Sequence, residues 1–159
     1  MGPSLAPQEA WKVRRGLVTL ALRMREHCAN AQRVANWLAM QSGVAAVHYP
    51  GLPDHPEHAL AIRQFQDRGF GGVVTFELEG ADRADAFRFL DALQLIRPAP
   101  SLGDAMSLAL HPASSSHRTL AHEERRRLGI GEGLIRLSVG IEDAEDIIED
   151  LAQALSVVT

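Results

Sequence analysis

Leu134-Ile135-Arg136-Leu137-Ser138-Val139-Gly140, residues 134–140, alternates around a single charge. In an extended chain, Ile135, Leu137 and Val139 fall on one face and Leu134, Arg136 and Ser138 on the other, because side chains alternate with period two. The first set is plainly core. The stretch therefore predicts a strand of a sheet with one packed face and one face that carries an arginine. Two serine-bearing loops precede it, Ser101-Leu102-Gly103 and Ser114-Ser115-Ser116. A planar guanidinium beside hydroxyls and backbone N–H groups is suited to holding a carboxylate. On pattern alone, the plainer reading leaves Arg136 on the solvent side of the sheet.

Working outward, Leu17, Leu20, Ala21, Met24, Cys28, Ala31, Val34, Ala35 and Leu38 recur at three- and four-residue spacing, and no proline interrupts residues 10–41. This predicts one continuous helix, about 45 Å long at about 1.5 Å per residue, preceded by a tail over residues 1–9. Such a helix either spans the whole body or leaves its first half to pack against something outside the chain. Strands are expected at 44–49, 73–78, 95–96 and 134–139. Further helices are expected at 56–66, at 81–93 with Phe87, Leu90 and Leu93 on its apolar side, at 122–128 and at 142–158. Helices alternating with strands give one α/β two-layer domain over residues 1–159, with a roughly four-stranded sheet.

Composition narrows the class. A chain of 159 residues with 46% hydrophobic and 23% charged residues can bury one good core. A net charge of −4 argues against broad nucleic-acid binding. The densest basic run, Arg125-Arg126-Arg127, follows Glu123-Glu124 and reads as a solvated helix face. No apolar run is long enough to span a membrane, and Met1-Gly2-Pro3-Ser4 lacks the order of a secretion signal. The single cysteine, Cys28, lies on the apolar stripe and excludes an internal disulfide, so a reducing, cytoplasmic setting is expected.

Other clusters have plainer readings. His48, His55 and His58, and then His111, His117 and His122, match no metal-binding spacing, and no metal site is expected. His111 and His117 are read as hydrogen-bonders that order their loops. Ser114-Ser115-Ser116-His117 lacks the strained turn and orienting acid of a serine nucleophile. Glu142, Asp143, Glu145 and Asp146 complement the dipole of the last helix, lacking the spacing of a calcium loop.

Read together, the serine loops and the arginine strand resemble the C-terminal part of the cysteine/methionine-metabolism family of pyridoxal-phosphate (PLP) enzymes, which includes cystathionine γ-synthase, cystathionine γ-lyase, methionine γ-lyase and O-acetylhomoserine sulfhydrylase. The segments that carry the resemblance are Arg15-Gly16-Leu17 with Thr19-Leu20 and Arg23-Met24, Tyr49-Pro50-Gly51-Leu52-Pro53, Gly71-Gly72 with Phe76-Glu77-Leu78, Ser101-Leu102-Gly103, His111-Pro112-Ala113-Ser114, and Arg136-Leu137-Ser138-Val139-Gly140. They run in family order over about residues 10–155.

The resemblance implies the small C-terminal domain of a fold-type I PLP-dependent transferase, joined to a cofactor domain by the long helix. It implies that Arg136 pairs with the substrate's α-carboxylate, that Ser101 is a neighbouring contact, and that Ser116 stands at the cofactor-pocket edge where the family usually has threonine. No residue here is assigned a catalytic role. The family's Schiff-base lysine belongs to the larger N-terminal domain, and the only lysine in these 159 residues is Lys12, outside that context. The implied function is one part of a trans-sulfuration enzyme acting on sulfur amino acids or homoserine esters, inactive and weak in PLP binding by itself. Its implied partner is a chain bearing the PLP domain, or further copies of itself. The alternative is a non-catalytic amino-acid-binding or interaction module derived from that family.

Overall fold

The computed structural model describes residues 4–158. Residues 1–3 of the expected tail lie outside the described residues, and the rest of it is shorter than expected, because Pro7 opens α1 (Pro7–Val18). Proline suits this place, where its missing N–H would have no intrahelical partner. Then follow α2 (Leu20–Leu38), β1 (Val44–His48), α3 (His58–Phe65), β2 (Val73–Leu78), α4 (Arg83–Ala92), β3 (Arg97–Pro98), β4 (Leu108–Leu110), α5 (His122–Arg127), β5 (Leu134–Ser138) and α6 (Ala144–Leu155). The strands form a five-stranded sheet in the order β1-β2-β5-β4-β3, antiparallel except for the β3–β4 pair.

The long helix is interrupted at Thr19, whose φ of −103° and ψ of 5° leave the helical region. The Arg23 guanidinium donates to the Gly16 carbonyl at 3.0 Å and to the Thr19 hydroxyl. A side chain inserted into the backbone ladder beside a glycine is an ordinary cause of such a break. The apolar stripe divides at the same place. Ala31, Val34, Ala35 and Leu38 are fully buried and Cys28 is nearly so. Trp11, Val13, Leu17, Val18, Leu20 and Leu22 stay exposed, and α1 buries none of its residues. The helix therefore does not pack along the body over its whole length, and its first half leaves its apolar residues exposed.

α2, α4 and α6 cover one face of the sheet. The core there joins Val34 and Leu38 of α2, Phe89 and Leu90 of α4 and Ile147 and Leu151 of α6 to Val74, Phe76, Ile135 and Leu137 of the strands. Burial of this apolar surface is the main force holding the layers together. The inner face of α4 differs from the expected Phe87, Leu90 and Leu93. Ala86, Phe89 and Leu90 are the buried set at i, i+3, i+4, whereas Phe87 stays 41% exposed and meets the His111 ring edge-on at 5.5 Å.

The strand expected at 95–96 forms two residues later, for a chemical reason. Asp150, buried on α6, accepts the backbone N–H groups of Gln94, Leu95 and Ile96 at 2.8, 3.0 and 2.9 Å. Those groups are spent on a carboxylate and cannot enter a sheet ladder, so pairing begins at Arg97. β4 is an addition to the expected four strands. Its three residues are all buried, so no alternation marks it.

Arg125 corrects the reading of the basic run. It is 8% exposed, donates to the Leu120 carbonyl at 2.9 Å and pairs with Glu132 at 2.9 Å, while Arg83 reaches the same carboxylate at 3.0 Å. Burial would raise the Glu132 carboxyl, but hydrogen bonds from Arg125 and Arg83 outweigh it and hold the group below the usual carboxylate range. Arg126 and Arg127 are exposed, as the solvated-face reading expects.

Candidate functional site

β5 alternates as its sequence predicts. Ile135, Leu137 and Val139 are buried in the helix-covered core. Arg136 lies on the opposite face, between Thr75 of β2 and Leu110 of β4 in register. That face is not bare: Leu134, Leu108 and Leu110 are buried there outside the main core cluster. Arg136 is therefore half-buried, not fully solvated.

The structure brings Arg136 and Ser101 together. Arg136 Nη2 donates to the Ser101 backbone carbonyl at 3.2 Å, although 35 residues separate them. The Ser101 side chain is exposed and its hydroxyl makes no hydrogen bond among the described residues. Arg136 Nε is buried without an acceptor. Folded proteins rarely leave a buried donor unpaired; among the described residues Arg125 Nε is in the same state, but only Arg136 combines it with a half-buried guanidinium next to an exposed serine. One guanidinium arm is thus committed to the loop, and other donors remain beside an unused hydroxyl. This donor set fits a carboxylate.

Ser116 is not part of that pair. It is exposed, and its hydroxyl meets His117 Nδ1 at 2.9 Å. His111 orders the same segment, as expected. Its Nε2 faces the Glu132 carbonyl at 2.8 Å and its Nδ1 faces Ser114 Oγ at 2.8 Å. A carbonyl can only accept, so Nε2 carries the proton and Nδ1 receives the serine hydroxyl. Burial pushes the ring's pKa below its ordinary 6.5, with the Glu132 carbonyl partly opposing.

The acidic cluster divides into separate roles. Asp143 caps α6, its carboxylate accepting the Glu145 N–H at 2.9 Å. Glu145 and Asp146 lie in the first turn, where the dipole favours them. Glu142 departs from the expectation: it stands before the helix and holds Ser107, with its carboxylate 2.6 Å from the Ser107 N–H. No group of side chains with metal-ligand chemistry assembles among the described residues.

The fit to the cofactor differs from the fit to a carboxylate. Lys12 is exposed on α1 and paired with Glu9 at 2.9 Å, so it offers no enclosed amine for an aldehyde. Two grooves, about 670 Å3 beside α1 and about 760 Å3 between α2, β1 and the 52–56 loop, are lined by other residues than Arg136. These residues fit the substrate end of a cofactor site and not its covalent end.

Comparison with known proteins fixes the family. The family model described as Cys/Met metabolism PLP-dependent enzyme matches residues 1–156. The chain belongs to the Cys/Met-metabolism family of PLP-dependent enzymes. Within this family it is 51% identical to an L-methionine gamma-lyase of Pseudomonas putida over 97% of its own length and 38% of the relative's. It is 46% identical to an O-succinylhomoserine sulfhydrylase of Pseudomonas aeruginosa, covering 98% of this chain and 38% of that one. The crystal structure of a putative O-acetylhomoserine (thiol)-lyase from Campylobacter jejuni, which holds a pyridoxyl-lysine monophosphate, superposes with a TM-score of 0.92 at 42% identity, over 98% of this chain and 36% of that one. The chain thus spans about 38% of the length of the curated relatives it matches. PLP is the cofactor of the family.

Sequence reasoning missed Ser138, Ser107 and Asp150, all buried polar residues with defined partners. Two of them left a signal. Ser138 shares a strand face with Arg136, and Asp150 interrupts the apolar stripe of α6 between Ile147 and Leu151.

Proposed function

We propose that this chain is the C-terminal, substrate-carboxylate-binding part of a PLP-dependent trans-sulfuration enzyme that acts on sulfur amino acids or homoserine esters. The observation that carries the reading is the Arg136 guanidinium, fixed by one arm to the Ser101 carbonyl and left with a buried unpaired Nε. Arg136 binds the α-carboxylate through its remaining N–H groups, and the Ser101 hydroxyl donates to the same group. Fixing that end of the amino acid sets the direction of its Cα–H bond, which is catalysis by orientation. Ser116, exposed at the rim of the neighbouring loop, faces the cofactor side. PLP, when bound, supplies the electron sink for cleavage at Cα. The lysine and most cofactor contacts lie outside these 159 residues, in a PLP-bearing partner domain that this part packs against, and these residues are inactive by themselves. The exposed apolar residues of α1, including Trp11 and Leu17, support association with that larger partner. The lone buried Cys28 supports a reducing, cytoplasmic setting for this reaction.

The test mixes the purified chain with a chain bearing the family's lysine domain and measures release of thiol and 2-oxo acid from L-methionine. Activity is expected only from the mixture, with Arg136→Leu lowering it by about a hundredfold or more. A mixture in which Arg136→Leu is as active as the unaltered chain would contradict the assignment. A mixture inactive throughout, with carboxylate binding intact, would replace it with the non-catalytic module.

A further inference from the structure

The 99–107 segment is tied down more than a connection between two strands requires. β3 and β4 are parallel neighbours, so the chain leaving Pro98 must return along the strand direction before it enters β4 at Leu108. It returns over the Arg136 face of β5, in step with that strand. Arg136 Nη2 donates to the Ser101 carbonyl at 3.2 Å, and the Gly103 N–H donates to Ser138 Oγ at 3.0 Å. The Ile141 N–H donates to the Ala105 carbonyl at 2.9 Å, and the Gly140 N–H to Ser107 Oγ at 2.8 Å. Residues 101, 103, 105 and 107 are each fastened to β5 or its extension, so the segment is a strap and not a free loop.

The foot of the strap is buried. Ser107 is fully buried, and the Glu142 carboxylate accepts from its N–H at 2.6 Å and its hydroxyl at 3.0 Å. Asn30 of α2 donates to the Glu142 carbonyl at 2.8 Å and the Gly140 carbonyl at 3.3 Å. Ser138, 3% exposed, fastens the strap halfway along, two residues from Arg136 on β5. Its partner Gly103 is two residues from Ser101 and turns the strap at a φ of +76°, a conformation suited to glycine. A buried hydroxyl two residues beyond Arg136 on its strand, bonded to the backbone two residues beyond Ser101, fixes the spacing of the two segments beside the contact residues.

We propose that Ser138, together with the Ser107–Glu142 foot, is a positioning element for the carboxylate grip. It holds Ser101 beside Arg136, and so rests on the reading of those two residues as substrate contacts. Without the Ser138 hydroxyl the Gly103 N–H loses its acceptor, the middle of the strap lifts, and the Ser101 hydroxyl no longer stands at a fixed place relative to the guanidinium.

The experiment uses the full chain, isotopically labelled, and titrates it with L-methionine while following the Arg136 Nε–H resonance. Amide exchange at Gly103 and the thermal midpoint are measured on the same samples. Ser138→Ala is expected to speed Gly103 exchange and to weaken L-methionine binding about five- to tenfold, the usual range for one lost hydrogen bond. Ser138→Thr, which keeps the hydroxyl, restores most of the affinity. Ser107→Ala weakens binding in the same direction from the foot, whereas Ser156→Ala, at the far end of the chain, leaves it unchanged. Should Ser107→Ala fail to fold, the two Ser138 variants decide. Ser138→Ala that binds L-methionine as tightly as the unaltered chain overturns the positioning role and leaves the grip standing. An unaltered chain whose Arg136 resonance does not respond overturns the grip itself, and the positioning role with it.

Discussion

Asp150→Ala should destabilise the chain by about 3–5 kcal/mol. The carboxylate accepts three consecutive backbone N–H groups, those of Gln94, Leu95 and Ile96, and the Gln153 side-chain amide at 3.0 Å. A hydrogen bond to a charged acceptor contributes about 1.5–3 kcal/mol net, and a buried donor left without a partner costs about 1–3 kcal/mol. The three donors are not equally stranded. Gln94 and Leu95 are exposed enough for water to replace the carboxylate, whereas Ile96 is 1% exposed and its N–H has no other recourse. One full penalty and two partial ones give the stated range, which is large for a single substitution but expected for a buried network. At about 2–4 °C per kcal/mol for a chain of this size, the midpoint should fall by roughly 6–20 °C. Asp150→Asn, which keeps one acceptor oxygen, should lose about half as much. Urea and thermal denaturation followed by circular dichroism give both numbers. A loss under about 1 kcal/mol for Asp150→Ala would refute the claim that this carboxylate, rather than strand pairing, organises residues 94–96.

Three further outcomes follow from the same packing. Gly140→Ala would set a Cβ against the Glu142 carboxylate, 2.5 Å from the Ala105 carbonyl oxygen and 2.6 Å from the Ser107 nitrogen; two of these are backbone atoms that cannot swing aside, so a loss of about 3 kcal/mol is expected in urea denaturation. Arg125→Ala should cost about 2 kcal/mol by stranding the Leu120 carbonyl and half of the Glu132 pairing, whereas Arg126→Ala should change the urea midpoint by no more than surface substitutions do. His111 is held neutral below its ordinary 6.5 by burial, so the folded state binds its proton less readily than the unfolded state. Its contribution is complete above pH 6.5 and is lost as the pH falls through the lower folded value; urea midpoints from pH 7.5 downward should decline less steeply in His111→Gln than in the unaltered chain.

What was legible in the sequence had a period. The two faces of β5 and the buried half of α2 followed from spacing alone, and the strand at β2 from alternation. What was hidden depended on contacts distant in sequence. β4 has no alternation to read, and the start of β3 is decided by an aspartate more than fifty residues further on. Arg125 looked like its neighbours until Glu132 folded back onto it. At the site, Arg136 and Ser101 were legible as residues, and the family resemblance implied that they act on one group, but no spacing in the sequence showed how they are brought together. Their meeting depends on a strap whose fastenings, Ser138 and Ser107, are serines of an unremarkable kind in sequence.

The most direct test of the central claim compares two ligands at one atom. L-methionine and L-methioninamide differ only in whether the α-carboxylate is present as a charged group, and each can be titrated into the labelled chain while the Arg136 Nε–H resonance is followed. A saturable shift with L-methionine and none with the amide, the former lost in Arg136→Leu by the response of the surrounding strap amides, is the predicted result. An equal response to both ligands, or none to L-methionine, would contradict the assignment of Arg136 as the carboxylate grip.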